Sequence, residues 1–171
     1  MYLRGLIRDV PDFPVPGILF RDITPLLLDP AASREVTIRL AEFAGPLEVD
    51  LVVAAEARGF IFGGALAQEL GAGFIPARKP GRLPAGTVSA GYGLEYGLDE
   101  LHIHADSLSE GARVLVHDDL IATGGTAEAA IEVVEKLGGQ VVGCAFLIEL
   151  SGLRGRNRLA GRQVHSLVTY S

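Results

Sequence analysis

One cysteine, one methionine, no tryptophan and only two lysines occur in a chain of 171 residues. Each shortage removes a possibility. Cys144 has no second thiol to pair with, so no internal disulfide can hold the fold together. No run of about 18 or more apolar residues is present, which excludes a membrane-spanning helix. Met1-Tyr2-Leu3-Arg4 does not lead into an apolar targeting segment, so a cytoplasmic protein with no membrane partner is expected. A formal net charge of -6 and the want of a basic stripe speak against nucleic acid as a partner. Anionic small molecules stay open, because a few local groups suffice to hold them.

What is present is a globular composition, 49% hydrophobic and 21% charged. The length suits a single domain over residues 1–171 with a full apolar core. Arginines outnumber lysines thirteen to two. That bias suits a thermostable protein, and a GC-rich genome produces it equally.

Along the chain, residues 3–8 are expected to form a short helix, followed by a Pro-rich extended stretch from Pro11 to Pro25. Ser33 is the expected N-cap of a helix carrying Val36, Leu40 and Phe43 on one face. Leu51-Val52-Val53-Ala54 reads as a strand covered on both faces, and Gly59 to Leu70 as a helix ended by Gly71. Residues 79–98 hold seven glycines and prolines, too many breakers for a packed element, and read as a mobile loop. Leu101 to His104 alternates like an exposed edge strand. Arg113 to His117 reads as a buried strand, Gly125 to Leu137 as a helix and Val141 to Leu150 as a strand. Strands alternating with helices predict an α/β domain on a largely parallel sheet.

The chemistry concentrates in Val114-Leu115-Val116-His117-Asp118-Asp119-Leu120-Ile121-Ala122-Thr123-Gly124-Gly125-Thr126. An apolar strand runs into two acids, a small glycine-rich turn and a helix start. In open α/β sheets, ligands bind beyond the carboxyl ends of the strands. A turn of this kind closes backbone N–H groups around a phosphate, with the helix N-terminus adding partial positive charge. The two carboxylates suit ribose hydroxyls, or Mg2+ held through water and sugar oxygens. No Gly-Lys-Ser/Thr follows, so this is not a Walker loop, and it is not GxGxxG.

The segment resembles the PRPP-binding motif of type I phosphoribosyltransferases. The resemblance implies a Rossmann-like parallel sheet flanked by helices, with a small hood. It implies that Asp118 and Asp119 hold the ribose hydroxyls and that Ala122, Thr123, Gly124, Gly125 and Thr126 cradle the 5-phosphate. His117 stands where the family usually has an apolar residue. Three more segments are similar to the adenine-specific branch of that family: Phe13 to Pro25, Glu56-Ala57-Arg58-Gly59-Phe60, and Arg78 to Pro84 followed by Leu94-Glu95-Tyr96-Gly97. They imply that Phe20 stacks on adenine while the backbone from Leu19 to Arg21 reads its edge. Glu56, Ala57, Arg58, Arg78, Lys79 and Arg82 would receive pyrophosphate, with a non-proline cis peptide at Glu56–Ala57. Glu95 and Arg58 would be catalytic, Glu95 handling the purine proton. Mg2+ as cofactor, adenine, PRPP, AMP and pyrophosphate as small-molecule partners, and a homodimer all follow from the resemblance. Arg82 replaces a frequent lysine. Two rivals stay open at this point: a transferase for another purine, xanthine being nearest, and a non-catalytic PRPP-sensing regulator.

Three features earn no role. His102 and His104 share a strand face without a third ligand. Cys144 reads as a small buried strand residue. Arg154, Arg156, Arg158 and Arg162 read as a solvated face or a subunit contact.

Overall fold

The computed structural model describes residues 2–94 and 97–171. In chain order the elements are α1 (Tyr2–Gly5), β1 (Arg8–Pro11), β2 (Leu19–Asp22), α2 (Thr24–Leu27), α3 (Pro30–Ala44), β3 (Leu51–Ala55), α4 (Gly59–Leu70) and β4 (Gly73–Ala77). Then come β5 (Thr87–Leu94), β6 (Gly97–His104), β7 (Arg113–Ile121), α5 (Gly125–Lys136), β8 (Gln140–Leu150) and β9 (Val164–Tyr170).

Five strands form one sheet in the order β4-β3-β7-β8-β9, every pair parallel. The apolar runs of β3 and β7 are the reason: a parallel sheet is covered on both faces and needs both sides of each strand apolar. One face packs on α3 and α4, where Leu115, Ala145 and Leu147 join Val36, Leu40, Phe62 and Leu66. The other packs on α5, where Val114, Val116, Cys144 and Phe146 join Ala130, Ile131 and Val134. From β3 the chain steps outward to β4 and later returns to the other side of β3 as β7. The carboxyl ends of β3 and β7 therefore flank a crevice where the winding reverses, the usual ligand position of such sheets.

Several expectations need correction. The first helix stops at Gly5, and Arg8 already belongs to a two-stranded antiparallel ribbon, β1 with β2. The N-cap of α3 is Asp29, not Ser33: its carboxylate accepts from Ala31 N (2.9 Å) and Ala32 N (3.0 Å), and Pro30 fills the first helical position. The stretch 79–98 is not loop throughout. Thr87–Leu94 is a strand, because β6 supplies an antiparallel partner residue by residue. Nor is residues 101–104 an exposed edge, since Leu101 and Ile103 are buried in the α5 core. This hairpin forms a hood joined to the sheet where Arg78 and His102 exchange backbone hydrogen bonds of 2.9 and 2.8 Å. α4 ends as expected, with Gly71 at φ 65° and Ala72 N on Ala67 O at 2.8 Å.

Candidate functional site

The loops at the carboxyl ends of β3 and β7 face each other. Between them lies a cavity of about 200 Å³ lined by Arg58, by Asp118 and Asp119, and by the turn from Leu120 to Ala127. Gly124, at φ 84°, caps α5, so the first N–H groups of a twelve-residue helix open onto this space. Ala122, Thr123, Gly124, Gly125 and Thr126 thus form one wall, and the two acids line it as well.

Asp119 is buried and Asp118 half-buried. Asp118 Oδ1 accepts from Asp119 N at 2.9 Å, and α4 approaches so closely that a Cβ on Gly59 would stand 2.9 Å from that oxygen. Asp119 Oδ2 lies 3.1 Å from Arg58 Nε, an ion-pair distance with no aligned hydrogen bond. Burial, together with the neighbouring Asp119 charge, holds the Asp118 carboxyl well above its usual range. Burial also raises Asp119, opposed by the Arg58 guanidinium. Beneath them His117 is fully buried, its Nδ1 paired with the Ala145 carbonyl at 2.9 Å. Burial pushes its imidazole down to about 4, so it is neutral, and Nδ1 carries the proton.

Arg58 is the hub. Its guanidinium lies 4.9 Å from the ring centroid of Phe20, so Phe20, Arg58 and Asp119 form one line of contact. Phe20 sits on β2, which carries Leu19, Phe20 and Arg21, and Phe13 meets its ring edge-on at 5.1 Å. Val10, Phe13, Phe20 and Asp22 line a second, mostly apolar hollow of about 280 Å³. In a two-stranded ribbon every second residue of β2 turns its backbone N–H and C=O away from β1, leaving groups free to read a ligand edge. The Arg21 side chain points elsewhere: it pairs with Asp9 and lies 3.8 Å over the Tyr170 ring.

The Glu56–Ala57 peptide is cis. The Glu56 carboxylate binds the start of the hood arm, accepting from Arg78 Nε (2.8 Å) and Lys79 N (2.9 Å). Against the effect of burial, these donors hold it below the usual carboxylate range. Arg78 Nη1 also donates to the Arg82 carbonyl at 3.1 Å. Arg78 and Arg82 are thereby joined in one arm, while Lys79 Nζ pairs with Asp99 and Arg58 stays with Asp119 and Phe20. Glu95 lies outside the described residues. Among the described residues no three His, Cys, Asp or Glu side chains gather around a common point. His102 instead bonds Thr87 (3.0 Å) and Glu100 (2.8 Å).

Sequence reading missed two contributors. Tyr92 donates to Asp99 at 3.0 Å, and its ring packs over Gly125. Burial and Asp99 push its hydroxyl up to about 12. The lone aromatic of Gly91-Tyr92-Gly93 was its only signal. Gly155 touches the glycine turn from a segment about 30 residues downstream, which no local pattern announces. The C-terminal arginines are not free: Arg156, Arg158 and Arg162 pair with Glu149, Glu128 and Glu135.

Comparison with known proteins agrees with this geometry. The model of the phosphoribosyl transferase domain matches residues 32–165. Adenine phosphoribosyltransferase of Thermotoga sp. strain RQ2 is 56% identical over 170 residues, 99% of this chain and 100% of that one. The crystal structure of adenine phosphoribosyltransferase from Thermoanaerobacter pseudethanolicus superposes with a TM-score of 0.96 at 50% identity, covering 98% of each chain. The Saccharomyces cerevisiae enzyme, complexed with adenine and an imino-altritol bisphosphate, gives a TM-score of 0.90 at 38% identity over 96% of each chain. Strand order, crevice and full-length similarity converge: the chain belongs to the adenine phosphoribosyltransferases of the phosphoribosyl transferase family.

Proposed function

We propose that the protein transfers the 5-phosphoribosyl group of PRPP to adenine, giving AMP and pyrophosphate in purine salvage. One observation carries the assignment of roles: the unbroken line Phe20–Arg58–Asp119, which sets an aromatic platform beside a guanidinium and a carboxylate beside the phosphate turn. Adenine stacks on Phe20, and the free backbone groups of Leu19 to Arg21 read its edge. A 6-oxo purine reverses that donor and acceptor pattern and would leave buried groups unpaired, a penalty reaching about 10⁴-fold where a site is built on hydrogen bonds.

The 5-phosphate lies in the turn from Ala122 to Thr126 against the N-terminus of α5. Asp118 and Asp119 take the ribose hydroxyls. Arg58, Arg78, Lys79 and Arg82, with Glu56 and Ala57 shaping their loop, receive the pyrophosphate. As adenine N9 forms its bond to ribose C1, the bond from C1 to the pyrophosphate oxygen breaks, and Glu95 takes the N9 proton. Arg58 stabilises charge arriving on the leaving group.

A buried, under-bonded Asp119 carboxylate beside Asp118, with no third protein ligand among the described residues, fits a cation completed by substrate oxygens and water, so Asp118 and Asp119 are the residues nearest Mg2+. Bound with PRPP near Asp118 and Asp119, Mg2+ would supply charge neutralisation for the departing pyrophosphate. A single domain over 1–171 with base-recognition segment 11–25 and hood arm 79–98, a cytoplasmic location and a homodimer complete the reading.

The test is AMP formation from PRPP and Mg2+ with adenine, hypoxanthine, guanine or xanthine in separate reactions. Turnover with adenine alone is expected. Turnover with a 6-oxo purine would move the base assignment, and PRPP binding without turnover on any base would identify a regulator.

A further inference from the structure

The phosphate turn has a back wall. After β8 the chain makes two tight 3-10 turns, Ser151–Leu153 and Gly155–Leu159, before crossing to β9. Gly155 is buried against the turn that lines the cavity. A Cβ on Gly155 would overlap the Ala122 carbonyl oxygen and stand 2.8 Å from Gly124 N and 2.9 Å from Thr123 C. The constraint is mutual, because a Cβ on Gly124 would stand 2.5 Å from the Gly155 carbonyl oxygen. Every atom met is backbone, so no rotamer change relieves the overlap.

The wall is itself anchored. Leu159 is buried in the α5 core. Arg156 grips Glu149 through Nε (3.0 Å) and Nη2 (2.5 Å) while Nη1 donates to the Val164 carbonyl at 2.8 Å. Arg158 donates to Glu128, in the first turn of α5, at 2.6 Å. The wall is therefore tied both to β8 and to the helix whose N-terminus faces the cavity.

We propose that Gly155 is a positioning residue for the phosphate site: backbone pressed on backbone fixes where the N–H groups of Thr123 to Thr126 point. The proposal rests on the reading of residues 122–126 as the 5-phosphate cradle. It predicts a selective defect. Gly155→Ala must displace the cradle, whereas the Phe20 platform and the pyrophosphate arm are not among the atoms its Cβ would meet. A loss of uniform binding at one end of PRPP raises KM and spares kcat.

The experiment compares Gly155→Ala with Gly152→Ala, a glycine of the neighbouring turn whose added Cβ meets nothing within 4 Å. Thr126→Ala serves as the marker of the cradle. Steady-state constants are measured for PRPP and adenine. Thermal protection is measured with ribose 5-phosphate and, separately, with pyrophosphate. Gly155→Ala is expected to raise the KM for PRPP by about 10- to 100-fold, the scale of a displacement near 1 Å. Its adenine KM and its protection by pyrophosphate should stay at wild-type values, as should all readouts of Gly152→Ala. An unchanged KM for PRPP, or equal loss of both anions, overturns the proposal. If Thr126→Ala also binds ribose 5-phosphate normally, the cradle reading falls with it; if Thr126→Ala alone loses it, only the proposal falls. Should Gly155→Ala not fold, Arg158→Ala decides: a rise in the KM for PRPP of up to about fivefold, the worth of an exposed ion pair, supports the proposal and no rise refutes it.

Discussion

Arg58→Met isolates what the hub does for the folded state. The Asp119 side chain is 4% exposed, and Arg58 Nε, 3.1 Å away, is the cation beside it. Removing one partner of a buried pair costs about 3–5 kcal/mol, because the other charge stays buried. Arg58 is itself 40% exposed, so solvent screens the pair, and with no aligned hydrogen bond the cost falls to about 1–3 kcal/mol. For a chain of this size that lowers Tm by about 2–4 °C per kcal/mol, or about 6 °C centrally. The sign with pH follows from Asp119. Its folded-state carboxyl is already raised by burial, so the folded protein holds protons the unfolded one releases, and stability falls as pH rises between the ordinary and the raised value. Arg58→Met raises that carboxyl further. The deficit against wild type must therefore be larger at about pH 8 than at about pH 5, where protonation removes the stranded charge. Differential scanning calorimetry without ligand measures it, and Arg58→Met/Asp119→Asn should recover most of the loss without recovering turnover. A deficit independent of pH, or larger in acid, would show that the pair does not govern stability.

Two shorter tests address other parts of the molecule. Asp29→Ala removes both hydrogen bonds at the start of α3 and should lower the midpoint of urea unfolding. Because the Tyr2 hydroxyl and the helix N–H groups hold Asp29 below its usual range, that stabilisation is present at neutral pH and fades on acidification through the lowered value. Tyr92→Phe deletes the hydroxyl that ties β5 to Asp99. It should raise the KM for PRPP by about two- to tenfold, the net worth of one ordinary hydrogen bond. Since Tyr92 ionises only near 12, the rate profile of the two proteins should coincide in shape up to about pH 10.5. A lost alkaline limb in the variant would contradict this.

How far the sequence speaks depends on where each constraint originates. β3 and the first half of β7 announced themselves because both faces are buried and both must be apolar. The acids and the glycine turn were legible for a similar reason, since one contiguous stretch supplies strand, carboxylates and helix start. β5 was hidden, because Gly91 and Gly93 suppress strand propensity and only pairing with β6 restores order. β4 was hidden by Pro76 and its edge position, and β9 by its own edge position and mixed polarity. Ser33 reads as a cap from its residue type alone, whereas Asp29-Pro30 carries the better signal, a capping acid before a proline. The Arg58 contacts with Phe20 and Asp119 join three segments far apart in the chain, and no local pattern encodes such a meeting.

The parallel sheet gives the molecule a working rim and a blank one. The strands enter from segments such as Gly45–Leu47, residues 105–112 and Gly138-Gly139, all at the end opposite the crevice. Cys144, the one cysteine in the sequence, is buried with its thiol pushed up to about 12 and is chemically silent. A single cysteine placed at exposed Ser109 is thus the sole reactive handle, and it hangs a dye, bead or surface from the blank rim. An enzyme immobilised there presents its crevice outward, in one orientation, to the solution.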